Sequence, residues 1–216
     1  MRGFNYENNK NNPRISKNSD EMTLCSVFVK EFKIGLHPIL KYYKDGTLHQ
    51  RLMSLFMAIK AVDPKSAPGS LNVGEGLRTL KGQLLLRQFV FNRKLGIRQQ
   101  LGNPEVNETD FSLSWSDFDP SSIRFPSSAT HFELQYLVLT YDNKRNIFTT
   151  YTAVPVRRAR KDEWEVLELR TEKAIVKKKG VQYFLAIGLR FLEILGEEEY
   201  PLLGQNAVGI EVLGVY

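Results

Sequence analysis

His131 and Glu133 stand two residues apart in a stretch of alternating apolar residues, which places both on one face of a strand. An imidazole beside a carboxylate is raw material for general acid–base catalysis. On a strand, though, the ordinary outcome is a surface cross-strand contact, and no serine stands in a Gly-x-Ser-x-Gly elbow. Asp117 and Asp119 pair a second set of acids in a turn-like segment, where Asp is favoured for backbone reasons. Gly74-Glu-Gly76 shares only its glycines with a phosphate-cradling loop, since no Gly-Lys-Ser/Thr follows. His37 and His49 have no carboxylate or third His spaced to complete a metal site. Cys25 is the single cysteine, so neither an internal disulfide nor a cysteine-built zinc site can form. These residues predict no catalytic centre, no metal and no cofactor.

Charge carries a stronger signal. Arg157, Arg158, Arg160 and Lys161 form one basic cluster, and Lys177, Lys178 and Lys179, with Lys173, form another. They flank an expected strand at Trp164, and such clusters can neutralise phosphates, so a nucleic-acid-associated protein is one reading. Asp162, Glu163, Glu165, Glu168 and Glu172 are interleaved with them, and no aromatic stacking platform accompanies them. The same cations are also complementary to Glu197, Glu198 and Glu199 on another copy of the chain, a heterologous contact that would propagate into a ring or filament. Residues 1–108 hold 17 Lys/Arg against 9 Asp/Glu, a net +8, and residues 109–216 hold 13 against 15, a net −2. That asymmetry suits nucleic acid or head-to-tail association.

Residues 1–18 are an Asn-rich arm with too little apolar surface to order by itself. Phe4, Tyr6 and Ile15 are its only anchors, and an arm of this kind can become ordered by adding a strand to a neighbour's sheet edge. No apolar leader core is present at the N-terminus and no run approaches a membrane span. The expectation is a cytoplasmic protein, or an extracellular one if it is exported as part of an assembly.

The elements that would position these residues change character along the chain. Asn18 with Glu21 fits a helix cap, followed by the buried stripe Met22, Cys25, Phe28, Val29, Phe32 and Leu36. A second helix from about Leu48 to Val62 carries Leu48, Leu52, Leu55, Phe56 and Ile59, giving an antiparallel hairpin. A short helix with Leu77, Leu80 and Leu84 then turns into a strand by Phe91. Gly96, Gly102, Asn103 and Pro104 mark a linker over residues 92–108. Strands are expected at 111–115, 130–141, 148–154, 164–169 and in a terminal hairpin, with Asp142-Asn-Lys-Arg-Asn146 closing the clearest turn. Within Gly180–Tyr216 the strand from Val181 to Leu192 is apolar on both faces except for Arg190, so it needs a covering layer on each side, from the helices or from another subunit.

Pro13-Arg-Ile-Ser-Lys-Asn18, Gly46-Thr-Leu-His-Gln-Arg-Leu52, Leu86-Arg-Gln-Phe-Val-Phe-Asn92, Ser128-Ala-Thr-His-Phe132 and Phe184-Leu-Ala-Ile-Gly-Leu-Arg-Phe191 occur in one order over nearly the whole chain. In this the chain resembles an uncharacterised family of short proteins from Bacteroidota. The resemblance implies a helix pair followed by a sandwich-like region, and it implies no activity.

The sequence therefore predicts an α+β chain: an arm (1–18), a helical region (19–91), a linker (92–108) and an antiparallel β-sandwich of about seven strands (109–216). Its leading functional expectation is a non-enzymatic structural or interaction protein whose partners are other copies of itself. Nucleic-acid association and a carbohydrate-binding sandwich using exposed aromatics such as Tyr151 are the alternatives.

Overall fold

The computed structural model describes residues 13–116, 118, 122–162 and 166–216, with side chains from residue 17 onward. The chain combines helices with antiparallel sheets and forms two compact units, Met1–Phe32 with Thr47–Leu86, and Lys33–Gly46 with Arg87–Tyr216.

The first unit is helical. It holds most of α1 (Pro13–Gly35), then α3 (Leu48–Lys60), α4 (Val73–Leu77) and nearly all of α5 (Leu80–Arg87). The first helix already includes Pro13, five residues before Asn18. Glu21 therefore does not serve as a capping partner. It is buried, accepts from Lys60 Nζ at 2.5 Å, and takes the Gly69 and Leu71 N–H groups at 2.6 and 3.2 Å. Burial alone would raise its carboxyl, but the lysine and the two amides outweigh that and hold it below the usual carboxylate range. The pair joins α1 to the end of α3, and Phe28 and Phe32 meet Phe56 at ring separations of 4.9 and 5.0 Å. Cys25 lies in the same core, and burial pushes its thiol up to about 11. Asn72 caps α4 by accepting from Glu75 N–H at 2.8 Å. A Cβ at Gly76 would run into the Ile59 carbonyl, so this glycine is there for a close helix approach. Of the leucines in this region, Leu80 and Leu84 are exposed, whereas Leu77 and Leu86 are buried. The expected strand before Phe91 is absent, because α5 runs on to Arg87.

Among the described residues, the second unit contains α2 (His37–Leu40), α6 (Ile97–Leu101) and nine strands: β1 (Glu105–Val106), β2 (Leu113–Trp115), β3 (His131–Asp142), β4 (Ile147–Thr152), β5 (Val156–Ala159), β6 (Leu167–Leu169), β7 (Val181–Leu195), β8 (Glu198–Pro201) and β9 (Val208–Val215). The backbone of the unit is the antiparallel pair β3–β7, in continuous register from His131↔Leu192 to Asp142↔Val181. On the far side of β3 lie β4, along its C-terminal half, and β5, along its N-terminal end. On the far side of β7 lie β9 and β8 in the same end-to-end manner. A second, three-stranded sheet runs β1-β2-β6. One apolar cluster joins Leu113, Trp115, Leu167 and Leu169 of this small sheet to Phe132, Leu134, Tyr136, Leu185, Ile187 and Phe191 of the large one. Residues 92–108 are more than a link: α6 and β1 lie there, and Leu95, Ile97 and Leu101 enter that core.

The opposite face of the large sheet, with Leu137, Leu139, Phe184, Ala186 and Leu192, is equally buried. Residues 33–46 of the same chain lie against it. Thr150 Oγ1 donates to the Gly35 carbonyl at 2.9 Å, and side chains on Gly35 or Gly188 would collide with Leu139 or Ile39. Both glycines thus let backbone and aliphatic side chains approach where a Cβ would hold them apart.

Candidate functional site

Two features of the large sheet stand out, one at each end of the β3–β7 ladder. The first is built on Glu133. Its register partners are Arg157 on β5 and Arg190 on β7, so the carboxylate meets a guanidinium on either side. Arg190 Nε donates to Oε1 and Arg157 Nη2 to Oε2, both at 2.8 Å. Glu199 on β8 closes the circuit, 2.8 Å from Arg157 and 3.5 Å from Arg190. Tyr42 lies over the Arg190 guanidinium at 3.9 Å from the ring centroid. The Glu133 and Arg190 side chains are only 8% and 12% exposed. Burial would raise the Glu133 carboxyl, but the two arginines more than reverse this and hold it low. Glu133 is therefore a fixed carboxylate locked between two cations. His131 turns instead to Thr130, with Nδ1 2.8 Å from its Oγ1. The acid–base pairing of His131 with Glu133 is not assembled.

The second feature is the β4 edge. Ala153 N–H donates to the Tyr136 carbonyl, and the same register carries through Tyr151/Val138, Thr149/Thr140 and Ile147/Asp142. By the alternation of an antiparallel ladder, these odd-numbered residues bond inward to β3 and Thr150 turns its backbone N–H and C=O outward. Thr152 O accepts from Glu172 N–H at 2.8 Å, but no described strand pairs with the outer side of β4. The sequence Ile147-Phe-Thr-Thr-Tyr-Thr152 has no charge, proline or glycine and is rich in β-prone residues.

The other margins are guarded. β5 carries Arg157 and Arg158, and β8 carries Glu198, Glu199 and Pro201. Residues 92–98 lie over β9: Asn92 Nδ2 donates to the Gln205 and Val208 carbonyls at 2.5 and 2.7 Å, and Arg98 Nε meets Glu211 at 2.8 Å. A cleft of about 130 Å³ lies over the sheet face where Ile147, Thr149 and Tyr151 of β4 stand beside Thr140 and Asp142 of β3 and Val181 and Tyr183 of β7, with Ile175, Val176, Arg145 and Lys178 completing its lining.

Of the residues singled out by sequence, Phe4 and Tyr6 lie outside the described residues, as do Asp117, Asp119, Glu163, Trp164 and Glu165; Ile15 falls within α1, its side chain likewise outside the description. The acidic turn and the first basic cluster do meet, but within one chain, through Glu199 and Arg157. Glu197 takes no part in that network, and Glu198 accepts from the Tyr200 hydroxyl. Arg158 donates to the Arg157 carbonyl, Arg160 lies 5.6 Å from the Phe125 ring centroid, and Lys177 lies 4.8 Å from that of Phe111. Lys161, Lys178 and Lys179 are exposed. The two basic clusters lie at opposite ends of the β3–β7 ladder, beside Phe132 and beside Val181, roughly 33 Å apart along the strands. They do not merge into one surface. Among the described residues, no three His, Cys, Asp or Glu side chains converge as a metal site, and no helix is long and apolar enough to cross a membrane. No protein-family model, curated protein or solved structure matches this chain.

Proposed function

We propose that this chain is a non-enzymatic structural protein that associates with copies of itself into an oligomer or filament, using the residues that precede α1 and the margins of its sheets, which pair as a sandwich. The observation that carries this reading is the contrast between the sheet's margins. Charges, a proline and the 92–98 segment guard β5, β8 and β9, whereas β4 is uncharged, β-prone and unaccompanied by a described strand. An open edge of this composition serves strand addition between chains. The separation of the two basic clusters, and the in-chain pairing of Arg157, favour this reading over nucleic acid.

Light scattering over a wide concentration range tests it: the mass should rise with concentration, and Thr149→Lys should hold the chain as a monomer. Thr149 is exposed, so this lysine adds charge to the edge without disturbing the core.

A further inference from the structure

We infer that the cleft over the β3–β4–β7 face binds a small organic anion, a single-ring monocarboxylate of the size of benzoate. The strand register orders the cleft floor into rows that share one side of the sheet. Ile147, Asp142 and Val181 form the row at the end of the ladder, Thr149, Thr140 and Tyr183 the next, and Tyr151 lies beyond them on β4. Ile175, Val176 and Lys178 belong to the segment that leads into β7 and complete the lining. That segment is tied to the floor. The Tyr183 hydroxyl accepts from Lys178 N–H at 2.7 Å, and Val181 N–H donates to the Lys178 carbonyl at 3.3 Å. The walls are therefore fixed before a ligand arrives, which lowers the ordering cost of binding.

Size and chemistry select the ligand. A cavity of about 150 Å³ holds one benzene ring, and this cleft offers about 130 Å³. Ile147, Ile175, Val176 and Val181 give a ring apolar contact, and Tyr151 and Tyr183 add aromatic surface. The charged residues gather at the end of the ladder, since Arg145 follows Asp142 in the turn and Lys178 is bonded to Val181. The Asp142 carboxylate is already engaged. Its Oδ1 accepts the Lys144 and Arg145 N–H groups at 2.9 and 3.2 Å, and its Oδ2 lies 3.8 Å from Arg145 Nε. Among the described residues no carboxylate pairs with Lys178, so the charge left to answer a ligand is positive. Lys177 and Lys179 flank it in sequence and add to that field. A carboxylate suits this end. A neutral sugar would need acceptors for its hydroxyl protons, and the one carboxylate in the cleft belongs to the turn.

The cleft lies on the sheet face and not outside the β4 edge, so binding is expected of a single chain and is independent of self-association. Titration of the full-length chain with benzoate, read by the methyl resonances of Ile147, Ile175 and Val181, tests it, with benzyl alcohol and methyl glucoside as neutral probes. Benzoate should shift these methyls saturably with a Kd of about 1 mM, the affinity expected of so few atoms. Benzyl alcohol should bind about 5-fold more weakly, and methyl glucoside should leave the methyls unmoved. Lys178→Gln, at an exposed position, should weaken benzoate about 5-fold and leave benzyl alcohol unchanged. Thr149→Phe, also at an exposed position, fills the floor and should abolish the benzoate shifts. No saturable shift up to about 20 mM benzoate would overturn the site. Benzyl alcohol bound as tightly as benzoate, Lys178→Gln binding benzoate like wild type, or methyl glucoside bound in its place would overturn the anionic ligand.

Discussion

Replacing Glu133 by Gln keeps the shape of the side chain and removes its charge. Arg190, with 12% of its side chain exposed, then retains one carboxylate, Glu199 at 3.5 Å. Arg157 loses one of its two partners but is 38% exposed and keeps Glu199 at 2.8 Å. Breaking one side of a buried pair costs about 3–5 kcal/mol. The remaining carboxylate and the solvent access of Arg157 place this case at the low end, about 3 kcal/mol. For a chain of this length that corresponds to a fall in Tm of roughly 6–12 °C. Urea unfolding followed by tryptophan fluorescence measures it, since Trp115 lies in the core of the same unit.

The effect must also depend on pH. Glu133 titrates below its unfolded value of about 4.3, so its stabilisation is complete above that pH and is lost as pH falls through the folded pKa. The gap between wild type and Glu133→Gln should therefore close in acid. A loss below about 1 kcal/mol near neutrality, or one of unchanged size in acid, would refute the locked-carboxylate account.

Two further perturbations probe the packing. Lys60→Met leaves the buried Glu21 carboxylate, among the described residues, with the Gly69 and Leu71 amides, and should cost about 3 kcal/mol while raising the Glu21 titration midpoint seen by NMR. Gly188→Ala drives a methyl into Ile39 and should cost about 1–3 kcal/mol, partly recovered by adding Ile39→Val; full stability in the single variant would show that residues 33–46 do not press on that face.

The long elements were legible because their apolar spacing is regular. Alternation from Phe132 to Val138 and from Val181 to Phe191 matches β3 and β7, and the Asp142–Asn146 turn lies between β3 and β4. β5 and β8 were not, because charges and a proline at a sheet margin leave no alternation to read. Residues 84–91 suggested a strand, but leucines compatible with either period let the helix continue to Arg87. The Glu133 cluster was hidden for a different reason: its members come from positions 42, 133, 157, 190 and 199, and only the strand register brings them together. One signal did point there. Arg190 is the single charge on an otherwise apolar strand face, and a buried cation demands a partner. That no described strand lies on the outer side of β4 could not be read in advance, because no local pattern says which strands will be neighbours.

The central claim is that the unguarded β4 edge drives copies of this chain together. Light scattering of the wild-type chain and of Thr149→Lys, over the same range of concentrations, tests it most directly. The account predicts a mass that climbs with concentration for wild type and stays at one chain for the variant. A wild-type mass fixed at one chain throughout, or a variant that assembles as readily as wild type, would contradict it.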